Sequence, residues 1–220
     1  MSPSAALAEP GRDCPLCPRL AAFRAAQRAR FSDWHNAPVP SFGGIDAWLL
    51  VVGLAPGLRG ANRTGRPFTG DYAGELLYGT LRKFGLARGA YAASADDGLA
   101  LVDCRITNAV RCVPPENKPE PREIAACRPF LAAEISAMPR LRAILALGAI
   151  AHQAALGALG LKRAPYPFRH GALHRLPTGL ALADSYHCSR YNTNTGKLTP
   201  EMFEAVFAEL RRMLAGDGAG

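Results

Sequence analysis

The chain has 220 residues, 49% of them apolar and 20% charged, enough to bury a real core and too few for two comfortable ones, so a single domain over 1–220 is expected. No stretch approaches the roughly twenty uninterrupted apolar residues of a membrane helix, which argues against a membrane protein of that kind. A formal charge of +8 and a pI near 9.5 suit a surface that neutralises phosphates, although a bias toward arginine alone gives the same numbers.

Residues 1–12 read as a flexible leader without the basic start and long apolar run of a secretory signal, so a cytoplasmic protein is expected. Next comes the CPLC pair, Cys14 and Cys17, and an Arg-studded helix over 20–31. AWLLVVG (47–53) reads as a buried strand, followed by a helix over 73–84. LALVDCRIT (99–107) precedes a helix over 122–138, and LRAILALG (141–148) precedes one over 149–159. The fourth run is GLALADSYH (179–187). A last helix starts at Thr199-Pro200-Glu201, with Met202, Phe203, Val206, Phe207, Leu210 and Leu214 at helical spacing and a flexible tail over 216–220. Short apolar runs alternating with amphipathic helices predict a mainly parallel sheet between helices, a three-layer α/β/α sandwich. In such sheets ligands bind at the carboxyl ends of the strands, which directs attention to the loops after the four runs.

Cys112 and Cys127 bracket a Pro-rich loop, RCVPPENKPEPREIAAC. With Cys14 and Cys17 they supply four thiolates, a set suited to zinc or to an iron–sulfur cluster; spacing leaves the two open. A cytoplasmic chain makes disulfides the weaker alternative. Cys104, inside an apolar run, reads as a small hydrophobe. His35, His152, His170 and His174 read as structural or solvated.

The loop after the first run, GLAPGLRGANRTGRPFTGD, is rich in glycine and lets backbone approach a ligand. Phe68 offers a flat face, and Asp71 is either a carboxylate for chemistry or the cap of the next helix. Arg59, Arg63 and Arg66 are placed to touch phosphates. Asn108, at the end of the second run, carries both a donor and an acceptor. After the fourth run, His187 leads into a polar loop whose Ser189, Arg190, Tyr191, Asn192, Thr193 and Thr195 suit phosphate contacts and a wedge into a duplex.

Together CPLC, GLAPG with GANRTGRPFTGD, CRITNAVRCVPP with its return Cys127, and SYHCSRYNTNTGKLT resemble the iron–sulfur uracil-DNA glycosylases, family five (the B type) more closely than family four. The resemblance implies a four-stranded mainly parallel sheet, a [4Fe-4S] cluster on Cys14, Cys17, Cys112 and Cys127, and a monomer acting near the nucleoid on double-stranded DNA that contains uracil or other deaminated bases such as hypoxanthine and xanthine. It also implies roles. Gly53, Leu54, Ala55, Phe68 and Asn108 would bind the flipped base, and Asp71 would orient water and stabilise the sugar cation. His187 would hydrogen-bond the departing base, with Asn108 completing the catalytic set. Arg63, Arg66, Ser189, Arg190, Tyr191 and Asn192 would hold DNA, with Tyr191 filling the vacated stack. Leu54 stands where family four has an acid, and Cys188 where related enzymes often have proline. Leu54 motivates a rival reading, a cluster or zinc protein that binds damaged DNA without turnover; a glycosylase for a different base is a third.

Overall fold

A computed structural model describes residues 9–216; residues 1–8 and 217–220, which include most of the expected leader and tail, lie outside the described residues. In chain order the elements are α1 (Pro18–Arg30), β1 (Leu49–Gly53), α2 (Ala61–Thr64), α3 (Tyr72–Lys83), β2 (Ala87–Arg88), β3 (Ala100–Leu101) and β4 (Cys104–Asn108). They continue with α4 (Pro121–Ala137), β5 (Ala143–Leu147), α5 (Ala149–Ala158), β6 (Leu173–Arg175), β7 (Ala181–Ser185), α6 (Arg190–Asn194) and α7 (Pro200–Gly216). The four apolar runs become β1, β4, β5 and β7, each buried at all five positions as strands covered on both faces must be.

The main sheet has five strands in the order β4-β1-β5-β7-β6, not the four expected. β4, β1, β5 and β7 run parallel, and β6 joins β7 antiparallel at the edge, pairing Leu173 with Ala183 and Arg175 with Ala181. β6 escapes a reading by pattern because its three residues, Leu-His-Arg, hold neither an apolar run nor an alternation. A tight hairpin specifies it instead, closed by the Leu176 N–H donating to Leu180 O at 2.9 Å. The expected strand over 99–107 is likewise divided, because Asp103 at φ 51° breaks the extended chain between β3 and β4. β3 turns away to pair with β2.

Alternate side chains along each strand feed opposite layers. Leu49, Val51 and Leu145 pack with Leu77 and Leu81 of α3 and with Phe203, Phe207 and Leu210 of α7. Leu50, Val52 and Ile144 pack with Leu131 and Ile135 of α4 and with Ala151 and Ala155 of α5. A third, smaller core joins Leu20 of α1 to Val110, Cys112 and Cys127. Beside it Glu134, wholly buried, accepts from Arg105 Nε and Arg111 Nη2, both at 2.6 Å. The fold therefore brings the ends of β1, β4 and β7 to one edge of the molecule and anchors α1 next to the loop after β4.

Candidate functional site

A cleft of about 470 Å³ opens at the carboxyl ends of the parallel strands, within the usual range for small-molecule sites. Leu54, Ala55, Phe68, Asp71, Asn108, Asn117, His187, Ser189 and Arg190 all line it. Gly53 lies beneath the cleft, paired in register with Asn108. A Cβ on Gly53 would stand 2.4 Å from Asn108 Oδ1 and 2.7 Å from the Phe68 ring, so a residue without a side chain is what lets those two groups meet. Gly53→Ala is accordingly expected to cost roughly 1–3 kcal/mol by overpacking. Denaturant unfolding checks this, and wild-type stability would show that the contact gives way freely.

Phe68 is held in the left-handed region, φ 54°, an uncommon conformation for a bulky residue and one that the surroundings must impose. Tyr91 Oη donates to Phe68 O at 3.2 Å and Tyr78 Oη donates to Pro67 O at 2.6 Å. Arg66 completes this support. Expected at DNA, it is instead 4% exposed, donates bidentately to Asp97 at 2.7 Å on both oxygens, and stacks over Phe42, Tyr78 and Tyr91. Asp97's carboxyl is pushed well below the usual range, first by that guanidinium. Arg66 fixes the loop under the cleft and is out of reach of a phosphate.

Asp71 caps a helix and also lines the cleft. Oδ1 accepts from the Gly74 N–H at 3.3 Å and caps α3. The residue as a whole is exposed, yet Oδ2 hangs over the turn below it, so that a Cβ on Gly60 would stand 3.0 Å away and one on Gly57 3.4 Å away. Burial of the carboxyl group raises its pKa, against the lowering pull of the Gly74 and Ala73 N–H groups.

His187 faces Phe68 across the cleft, ring centroids 6.0 Å apart. Desolvation lowers its pKa, so the imidazole is neutral near pH 7. Asn192, expected at DNA, spends its amide inside the loop, Nδ2 donating to His187 O at 2.8 Å. Cys188 is buried and donates to Ala73 O at 3.4 Å, tying the loop after β7 to the start of α3. Ser189 caps α6 and also lines the cleft. On the rim, Arg63 and Arg190 are exposed, Arg190 lies over the Tyr72 ring, and Tyr191 projects with 73% of its surface exposed.

Sequence reading missed Asn117, which reaches the cleft from the Pro-rich loop because Glu116 and Asn117 both adopt positive φ, 54° and 57°. Its available signal was position, since that loop follows a strand's carboxyl end.

Cys14, Cys17, Cys112 and Cys127 meet in a second, tight pocket walled by Leu20, Val110 and Phe130. Arg24, 3% exposed, donates to Cys112 Sγ and to Cys14 O, both at 3.0 Å, and the Arg111 N–H donates to Cys127 Sγ at 3.4 Å. Such donors suit sulfur that carries negative charge. As free thiols these cysteines resist ionisation, since burial raises Cys17 and Cys112 and pushes Cys127 up to about 11.

Comparison with known proteins agrees with this geometry. The model of the uracil DNA glycosylase superfamily matches residues 40–211. The chain is 47% identical to the type-5 uracil-DNA glycosylase of Thermus thermophilus over 205 residues, covering 91% of this chain and 93% of that one. It is 42% identical to the type-5 enzyme of Mycobacterium tuberculosis over 208 residues, covering 91% and 78%. The type-5 enzyme of Pyrobaculum aerophilum shares 40% identity over 209 residues, covering 93% and 89%.

Proposed function

Because the chain belongs to the uracil-DNA glycosylase superfamily, we propose that it hydrolyses the N-glycosidic bond of uracil flipped out of double-stranded DNA and leaves an abasic site, with hypoxanthine and xanthine as further substrates. The observation that carries this reading is the convergence of Phe68, Asn108, Asp71 and His187 on one base-sized cleft. Flipping costs a few kcal/mol of stacking and pairing, least at a mismatch such as U·G, which biases turnover toward deaminated sites.

In the cleft, the Phe68 ring supplies a stacking face and Asn108 an amide for the polar edge of the base. As the C1′–N bond lengthens, its electron pair moves onto the base and positive charge grows on the sugar. The Asp71 carboxylate stabilises that cation and orients the water whose oxygen bonds to C1′ and whose released proton passes through solvent to the departed base, while neutral His187 donates a hydrogen bond to the base as it becomes anionic. Leu54 lines the cleft and is unable to act on water, so the acidic work falls to Asp71. That placement of Asp71 weighs against the rival of binding without turnover.

Duplexes holding one uracil, hypoxanthine or xanthine, and an undamaged control, test the reading when incubated with the protein and then treated with alkali. Strand breakage at uracil is expected to be fastest, with slower breakage at the other two. Breakage at hypoxanthine or xanthine but not uracil would transfer the assignment to another base, and none at all would favour binding without turnover.

Arg190 at the cleft and the exposed Arg59 and Arg63 of the loop after β1 are the candidate phosphate contacts, and three such contacts give log affinity a slope against log salt of about −2.7. Between roughly 50 and 200 mM salt, affinity should then fall about 40-fold. Arg190→Ala should make the slope shallower by about one; an unchanged slope would remove Arg190 from the contact surface.

The four-cysteine pocket is proposed to hold a [4Fe-4S] cluster through Cys14, Cys17, Cys112 and Cys127. Its donor set, gathered in one pocket, and the hydrogen bonds from Arg24 and Arg111 support that fit. The cluster would serve as a tether joining the N-terminal segment and α1 to the loop after β4. Cys17→Ser is expected to bleach cluster absorbance and lower the unfolding midpoint. A stable variant with undiminished colour would remove Cys17 from the ligand set.

A further inference from the structure

Away from the cleft and the cysteines, His152 of α5, His174 of β6 and Asp184 of β7 bring three ligand atoms within 4.8 Å of one another. His152 and Asp184 are buried to within 1% of complete. His152 Nδ1 lies 2.7 Å from Asp184 Oδ1, and its Nε2 lies 2.8 Å from Tyr166 O. Both neighbours are acceptors, and a neutral imidazole carries only one N–H. With the proton on Nε2, where Tyr166 O receives it, the Nδ1 lone pair points at a carboxylate oxygen. On the other side His174 Nε2 is buried without a hydrogen-bond partner, 3.5 Å from Asp184 Oδ2. The Arg169 N–H, 3.4 Å from that oxygen, is a long contact that leaves the carboxylate undercompensated. With both imidazoles neutral, this cluster holds more acceptors than it has protons to fill them.

We propose that His152 Nδ1, His174 Nε2 and Asp184 bind a zinc-class divalent cation. Imidazole and carboxylate suit zinc at about 2.0–2.2 Å from each donor, which places tetrahedral ligand atoms about 3.4 Å apart. One ligand atom from each of the three residues already lies within 4.8 Å of the other two, so side-chain adjustments of about an ångström admit the ion. The Tyr166 carbonyl then fills the outer role usual for metal-bound histidine, accepting from the other ring N–H and fixing the tautomer. Three protein ligands leave a fourth position for water. The ion would join a helix, the antiparallel edge strand and β7, which ends two residues before His187, and so would stiffen the support of the cleft from the far side.

Metal analysis of the full chain, as isolated and after dialysis against Zn²⁺, tests this by comparison with His174→Ala, since subtraction cancels whatever the cysteine pocket takes up. The wild type should hold one equivalent more than the variant. With zinc at about 100-fold above its dissociation constant, its unfolding midpoint should rise about 5–10 °C, a rise the variant lacks. In the Co²⁺ form, the wild-type-minus-variant spectrum should show visible d–d absorption without a sulfur charge-transfer band. If His174→Ala fails to fold, His174→Gln keeps a polar side chain on the edge strand, removes the ring nitrogen and serves the same comparison. Equal metal content in wild type and variant, an equal thermal shift, or a difference spectrum of thiolate type would overturn the proposal and leave a proton as the bridge between His152 and Asp184.

Discussion

Replacing Asp71 by Asn is expected to slow uracil excision at least about 10²-fold while leaving the fold intact, the scale seen when one preorganised charge-stabilising group is removed from an enzyme. The substitution separates the two tasks of this residue. Asn caps helices as well as Asp does, so the bond from Gly74 to the side chain of residue 71 and the start of α3 survive. What disappears is the negative charge facing the sugar. The direction of the pKa shift adds a stability sign. Because burial raises the folded pKa of Asp71, the folded state binds more protons than the unfolded one between the two values, and this group's contribution to stability falls as pH rises through that window. At neutral pH the ionised carboxylate is therefore a burden on the fold, and Asp71→Asn should unfold no earlier than wild type. The same shift moves the acid limb of the rate profile upward from the position an unburied aspartate would give. Wild-type turnover in Asp71→Asn would remove the residue from the reaction, and loss of turnover together with loss of stability would reduce it to a cap.

His187→Ala should lower the rate about 10²–10³-fold with little change in affinity for undamaged duplex, because the lost hydrogen bond strengthens only as charge develops on the departing base. The imidazole is desolvated and its pKa lowered, so it acts as a neutral donor near pH 7, and the hydrogen bond from Asn192 to its carbonyl steadies the backbone that presents it. A folded pKa below the unfolded one means that His187 costs stability as pH falls through the ordinary histidine range, a dependence the Ala variant should lose. A rate within about twofold of wild type would exclude the assigned role.

What could be read beforehand followed the strength of the local signal. β1 and β5 were legible because strands covered on both faces are continuously apolar, and β4 and β7 because each continues an apolar run that turns polar toward its carboxyl end. β6 was not, being three residues held by a hairpin and one neighbour. Phe68, Asp71, Asn108 and His187 could be nominated because each stands where a parallel strand gives way to a loop, and the cleft brings all four together. Arg66 was misassigned since an arginine in a glycine-rich loop looks the same whether its partner is a phosphate or Asp97, 31 residues further on. Asn192 has a task that sequence did not show, its amide donating to a carbonyl five residues back. The cluster of His152, His174 and Asp184 was invisible because its members come from three elements that only the folded sheet juxtaposes.

The most direct test of the central claim is strand breakage, after alkali, of labelled duplexes holding one U·G pair or no lesion, with wild type and Asp71→Ala assayed side by side. The account predicts breakage at uracil by wild type alone and none in the undamaged strand. An inactive wild type that is folded and loaded, or an Asp71→Ala variant that cuts as fast as wild type, would contradict it.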